Sequence, residues 1–190
     1  MAVVDGIRYS VNGAVPEDKG EPYTAWVHSS QWNDYEGNVT IPETFTIGDE
    51  TFVVVGVDDG AFEKSDIRSV TIPKTVKSID SYAFANCKNL EEIYSAITEV
   101  NDTRVSATAF EGSVAQAVLY VPIGTKELYE AADGWKLFKN IVEMDHEDSE
   151  GIVTVEKLFA AEKYYDLHGR TVLRPNRGIY VKEGKIVVVK

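Results

Sequence analysis

The sequence predicts a mainly β protein: a short right-handed solenoid with an N-terminal β cap, a C-terminal closing helix and a small antiparallel β tail. Three observations predict it. The stretch Val70-Thr-Ile-Pro-Lys-Thr-Val-Lys-Ser-Ile-Asp-Ser-Tyr-Ala-Phe-Ala-Asn-Cys87 recurs imperfectly on both sides, opening at Val39-Thr-Ile41-Pro42 and again at Leu119-Tyr-Val121-Pro122. An Ala-Phe pair closes three of the copies, at Ala61-Phe62, Ala83-Phe84 and Ala109-Phe110. The strand-like starts Val39, Val70, Ile93 and Leu119 are separated by 31, 23 and 26 residues.

The long first interval has a visible cause. Between Phe45 and Val57 lie 12 steps where the second copy uses 3 from Val76 to Ile79, so 9 residues are inserted and the underlying period is 22. One short strand every two dozen residues is the spacing of leucine-rich-type solenoids, here with Ile, Val and Phe at most of the Leu positions. Alternation in Val70-Thr71-Ile72 sends Val70 and Ile72 inward and Thr71 outward, and Pro73, having no N–H for a ladder, ends the strand. A small residue beside a ring at each Ala-Phe pair allows ring to lie on ring between coils, forming a phenylalanine spine. Ser65, Cys87 and Ser113, three residues beyond each Phe, are small side chains able to donate to carbonyls that stacking would bury. Cys87 therefore reads as a structural thiol.

The pattern Ile-Pro-x-x-Val-x-x-Ile-x-x-x-Ala-Phe-x-x-Cys in residues 72–87 resembles the repeat of the BspA-type leucine-rich repeat family, surface or secreted proteins of gut and oral anaerobic bacteria. Leu119-Tyr-Val-Pro-Ile-Gly-Thr through Trp135-Lys-Leu-Phe-Lys-Asn-Ile-Val-Glu143 resembles the segment that closes such arrays. The third copy departs from the pattern, with Ser95-Ala96 where Ile-Pro would stand.

In chain order, residues 1–37 are expected to form a cap over the first coil, whose apolar end would otherwise face water. Gly6–Val11 and Tyr23–His28 alternate like strands, with Asn12-Gly13, Pro16 and Gly20 as turn material between them. Trp26, Trp32 and Tyr35 either cover the end of the core or form a sugar-stacking platform. Residues 38–144 are the array with its closing helix. Thr44–Val55 reads as an inserted hairpin turning at Gly48-Asp49-Glu50. Asp58-Asp59-Gly60 supplies too few carboxylates for calcium and reads as a solvated turn. Thr125 is placed to cap a helix running through Asp133, with Leu128, Ala132 and Trp135 at helical spacing and Gly134 at its stop.

Residues 145–151, within the acidic run Met144-Asp-His-Glu-Asp-Ser-Glu-Gly151, cannot bury anything and are expected to be a linker, His146 included. Residues 152–190 alternate apolar and polar positions around His168-Gly169, Pro175-Asn176 and Glu183-Gly184, predicting a small antiparallel β unit. Asp166-Leu-His-Gly-Arg170 and Gly178-Ile-Tyr180 resemble motifs of C-terminal sorting modules on exported proteins of the same bacterial group. That resemblance implies export or surface attachment.

Composition narrows function. Hydrophobic residues make up 44% of the 190, yet no run is long and apolar enough to span a bilayer. A formal charge of −12 argues against nucleic acid, which needs clustered Lys and Arg. The opening residues carry no basic region followed by an apolar one, and since the family resemblance implies export to the surface or beyond, a signal peptide is expected to have been removed. One cysteine permits no internal disulfide. No nucleophile elbow, His-Glu-x-x-His, phosphate loop or dinucleotide fingerprint occurs, and His28, His146 and His168 all lie outside the array. No catalytic, metal or cofactor residues are therefore assigned, and the protein is expected not to be an enzyme.

The leading expectation is a protein-interaction or adhesion module whose solenoid face meets a host or matrix protein. Its outward column is Thr40, Thr71, Tyr94 and Tyr120, flanked by Glu92, and Tyr is enriched at interface hot spots. Carbohydrate binding through Trp26, Trp32 and Tyr35 is the alternative, and a structural spacer a further one. The sequence fixes no oligomeric state.

Overall fold

The computed structural model describes residues 1–11, 22–30, 35–144, 164–165, 171–172, 178–182 and 185–189. Two compact units emerge, Met1–Gly151 and Ile152–Lys190. The first is a β-solenoid of about five turns.

It begins with β1 (Ala2–Val4), β2 (Ile7–Val11) and β3 (Tyr23–His28), an antiparallel series. β1 is an addition to the expected cap. Asp5 and Gly6 both take positive φ (49° and 80°), the conformation a two-residue hairpin turn needs to match the strand twist. The expected turn residues Asn12, Gly13, Pro16 and Gly20 lie outside the described residues.

The coils follow: β4 (Glu36–Thr40), the inserted hairpin β5 (Thr44–Ile47) and β6 (Glu50–Val57), β7 (Asp66–Ile72), β8 (Ser78–Ile79), β9 (Glu92–Ser95), β10 (Arg104–Val105) and β11 (Val118–Pro122). Helix α1 (Lys126–Ala131) and β12 (Asn140–Met144) close the unit. β4, β7, β9, β11 and β12 form one parallel sheet, in the order β12-β11-β9-β7-β4. Its register aligns Val39, Val70, Ile93, Leu119 and Ile141 in one buried row. The second sheet runs β1-β2-β3-β6-β8-β10, with β5 antiparallel on β6. Here β3 pairs parallel with β6, so the cap strand acts as a coil strand.

The third side is a ladder of turns. Phe62 N–H donates to the Ala83 carbonyl and Phe84 N–H to that of Ala109, each 2.7 Å away. Inside, the Phe62 and Phe84 rings stack at 5.0 Å and 7°, and Phe84 and Phe110 at 5.2 Å and 5°. All three are fully buried. Tyr35 extends this row at one end, 4.7 Å from Phe62, and Trp135 and Phe138 extend it at the other, 5.0 and 5.1 Å from Phe110.

Small polar side chains satisfy the carbonyls that stacking shuts away from water. Ser65 Oγ donates to the Phe62 carbonyl (2.7 Å), Cys87 Sγ reaches back to the same oxygen (3.0 Å), and Ser113 Oγ donates to Phe84 (2.6 Å) while accepting from Cys87 N–H (2.9 Å). Burial pushes the Cys87 thiol pKa up, against the opposing pull of Ser65, which makes it a poor nucleophile.

α1 is held otherwise than Thr125 suggests. Thr125 Oγ1 donates to the Pro122 carbonyl, and it is Glu143 Oε1 that accepts from Gly124 N–H (2.8 Å) and Lys126 N–H (3.2 Å). Leu128 is exposed, and Tyr129 is the residue that α1 buries. Its hydroxyl donates to the Ile97 carbonyl at 2.8 Å and lies 2.6 Å from Ser95 Oγ. This accounts for Ser95 at the position that Ile72 fills one coil earlier. α1 ends at Ala131, short of the Asp133 expected from the sequence, with Ala132 already extended (φ −78°, ψ 142°), and Gly134, at a φ of 77°, instead precedes the 3-10 turn that carries Trp135.

The second unit is a four-stranded antiparallel sheet of β13 (Tyr164–Tyr165), β14 (Thr171–Val172), β15 (Gly178–Lys182) and β16 (Lys185–Val189), ordered β14-β13-β15-β16. The acidic stretch 145–151, with His146, and the turn residues His168, Gly169, Pro175, Asn176, Glu183 and Gly184 lie outside the described residues.

Candidate interaction surface

Because inward residues of a strand alternate with outward ones, the inward row Val39-Val70-Ile93-Leu119-Ile141 fixes the outward row. That row is Thr40, Thr71, Tyr94, Tyr120 and Val142, each opposite the next in the parallel register. Tyr94 and Tyr120 stack face to face, with ring centroids 4.7 Å apart and planes 8° from parallel. Both are half-buried, and Val142 beyond them is 39% exposed. The stack thus continues into an apolar edge open to solvent.

Glu92 belongs to the neighbouring outward row, and its carboxylate accepts from the Tyr94 hydroxyl at 3.0 Å. Burial, together with that carboxylate, raises the Tyr94 pKa, so the phenol stays neutral and fixed as a donor. Thr40 is exposed on the edge strand. Thr71 departs from the expectation of an open contact residue: it is only 7% exposed, a short side chain in the central strand between Thr40 and Tyr94.

The aromatic cap residues separate. Tyr35 is not part of a surface platform, since its ring packs on Phe62 and its hydroxyl donates to the His28 carbonyl (2.9 Å) and accepts from Arg8 N–H (3.0 Å). Trp26 is half-buried on the outer face of the second sheet. Trp32 lies outside the described residues.

His28 Nδ1 lies 3.3 Å from Asp58 Oδ2, off the hydrogen-bonding direction, and the nearby Ser10 hydroxyl donates to Asp58, not to an imidazole nitrogen. Among the described residues no three His, Cys, Asp or Glu side chains converge on a metal position. Nor is any described helix long and apolar enough to cross a membrane.

Sequence reasoning missed Val142 and with it the end of the outward row. A signal was present: Ile141 follows Leu119 by 22 residues, the underlying period of the array.

Residues 55–132 match the family model described as BspA type Leucine rich repeat region, in six copies. No curated protein matches the chain. Among solved structures it is similar to a leucine-rich repeat protein from Bacteroides ovatus, at 18% identity over 74% of this chain and 40% of that one, with a TM-score of 0.41. It is also similar to a leucine rich cell surface protein from Faecalibacterium prausnitzii, at 17% identity over 76% of this chain and 43% of that one, TM-score 0.43. The Pneumococcal vaccine antigen PcpA is a third, at 18% identity over 75% and 38%, TM-score 0.36. The chain spans about two fifths of the length of these proteins.

Proposed function

We propose that this chain, built around a BspA-type leucine-rich repeat region, is a non-enzymatic interaction or adhesion module displayed on a bacterial surface or secreted from it. Its ligand is a host or matrix protein taken against the outer face of the β4-β7-β9-β11-β12 sheet. The observation that carries this reading is the stacked pair Tyr94–Tyr120, half-exposed in the middle of that face and continued by Val142. Tyrosine supplies a large, rigid contact with a polar tip at low entropic cost, which is why it recurs at interface hot spots. Stacking and the Glu92 hydrogen bond hold the rings before any partner arrives, so little further ordering is needed on binding.

Strands about 4.8 Å apart make the five-stranded face roughly 19 Å across, a width suited to a modest protein interface. The formal charge of −12 favours a partner whose contact patch is rich in Lys and Arg. In this scheme residues 1–37 cap the array of 38–144, residues 145–151 link it to the tail, and residues 152–190 serve export or attachment.

Surface plasmon resonance against a panel of purified extracellular-matrix proteins tests the reading. A matrix protein is expected to bind, with affinity lost about tenfold or more in Tyr94→Ser/Tyr120→Ser and kept in Trp26→Ala. Binding indifferent to the tyrosine pair would refute it.

A further inference from the structure

We propose that the outer face of the second sheet carries a separate binding site for a neutral hexose ring, with Trp26 as its stacking plate and Asp58 and Asp80 as acceptors for its hydroxyls. The site is independent of the tyrosine face and uses no residue from it.

Register assembles it. Trp26, Gly56, Ser78 and Arg104 stand in one row across β3, β6, β8 and β10. Just beyond the strand ends, Asp58 and Asp80 sit side by side, their N–H groups bonded to the carbonyls of Val27 and Val57. A register shift after Ala25 gives β6 one extra residue, which places Gly56 opposite Trp26 where Val55 would otherwise stand. Bulges of this kind re-aim side chains next to functional sites.

The glycine has a specific use. A Cβ built on Gly56 would fall within 2.6 Å of Cε3, Cζ3 and Cδ2 of Trp26, three adjacent carbons at nearly the same distance. An edge-on ring would leave the two outer carbons much farther away than the middle one. The indole therefore lies flat on the bare backbone of Gly56, with its other face turned from the sheet. The ring borders a shallow cleft of about 290 Å³ lined also by Ser10, Val11, Asp58 and Asp80. This is near the lower end of ligand-site volumes, about 300–1,000 Å³, and suits one ring, not a long chain.

The polar groups are held by one oxygen each. Asp58 Oδ2 accepts from Ser10 Oγ at 3.0 Å, and Asp80 Oδ1 accepts from Ser78 Oγ at 3.0 Å and Arg104 Nη2 at 2.7 Å. The second oxygen of each carboxylate has no partner among the described residues and is available to a ligand hydroxyl. Two carboxylates repel an acidic sugar, while Arg104 already offsets Asp80, so no cation is called for. An apolar plate beside fixed carboxylate acceptors matches a ring with one C–H face and a rim of hydroxyl donors.

The test is protein-observed NMR of the full chain, following the Trp26 indole N–H during titration with methyl glycosides of glucose, galactose, mannose and N-acetylglucosamine. At least one is expected to shift that resonance saturably. Affinity, read in the variants from the backbone amide shifts of Ser10, Val11 and Asp80, should fall about tenfold in Trp26→Ala and in the gentler Asp58→Asn, with thermal midpoints checking that both fold, and stay unchanged in Tyr94→Ser/Tyr120→Ser. The proposal is overturned if none of the glycosides shifts the resonance, if binding survives both cleft substitutions, or if a uronic acid or lysine methyl ester competes equally well.

Discussion

Removing one ring from the middle of the interior row is the sharpest perturbation the fold offers. Phe84 is fully buried and stacks on both sides, at 5.0 Å on Phe62 and 5.2 Å on Phe110. Phe84→Ala deletes the buried ring and leaves a cavity, an effect of about 3–5 kcal/mol in well-packed cores. Phe84→Leu keeps an apolar side chain but loses two ring pairs of roughly 0.5–1.5 kcal/mol each, so about 1–3 kcal/mol should go. In urea, with a slope of about 2 kcal/mol/M, the alanine variant should lower the unfolding midpoint by roughly 2 M with the slope unchanged. Ile123→Ser, at a position 62% exposed, serves as control and should stay within about 0.5 kcal/mol of the parent. A Phe84→Ala loss under about 1 kcal/mol, no larger than the control, would refute the claim that the coils are joined through this row.

Ser113→Ala leaves the Phe84 carbonyl and the Cys87 N–H without their buried partner, for a loss of about 2–4 kcal/mol by urea unfolding, whereas Cys87→Ser keeps a donor for the Phe62 carbonyl and should lie within about 1 kcal/mol of the parent. Glu143→Ala frees the start of α1 and should cost about 1 kcal/mol, with Glu143→Gln, which retains an acceptor, costing less in the same thermal scan. Burial raises the phenol pKa values of Tyr129 and Tyr9 above the ordinary value of about 10. The unfolded chain therefore releases protons that the folded one keeps. Their contribution is intact below pH about 10 and declines as pH climbs above it, visible as a falling thermal midpoint and as late tyrosinate absorbance.

The solenoid was legible because stacking demands the same residue at the same place in each coil. Val39, Val70, Ile93 and Leu119, which open successive copies in the sequence, are neighbours across the sheet. The Phe row and its Ser65, Cys87 and Ser113 donors follow the same logic, and the 9-residue excess in the first copy is the β5–β6 hairpin. Where a residue answers to a partner outside the repeat, the period says nothing. Tyr35 joins the row although it precedes Val39 by 4 residues, where Phe62 precedes Val70 by 8. Glu143 caps α1 from a distant strand, a contact that local capping rules assign to Thr125. The parallel pairing of β3 with β6 hides behind strand patterns that suit either direction. Of the surface, Tyr94 and Tyr120 were readable from register alone, but the burial of Thr71 depends on its neighbours across the sheet, and the seat of Trp26 on Gly56 depends on a bulge that alternation cannot reveal.

The most direct measurement is amide hydrogen exchange of the chain with and without the matrix protein that the proposal predicts it to bind. Protection gained along Val70–Thr71, Ile93–Tyr94, Tyr120–Val121 and Val142, on the sheet bearing the tyrosine stack, is the predicted footprint. Protection confined to the Trp26 face or to the Phe62–Phe84–Phe110 turn side would contradict it.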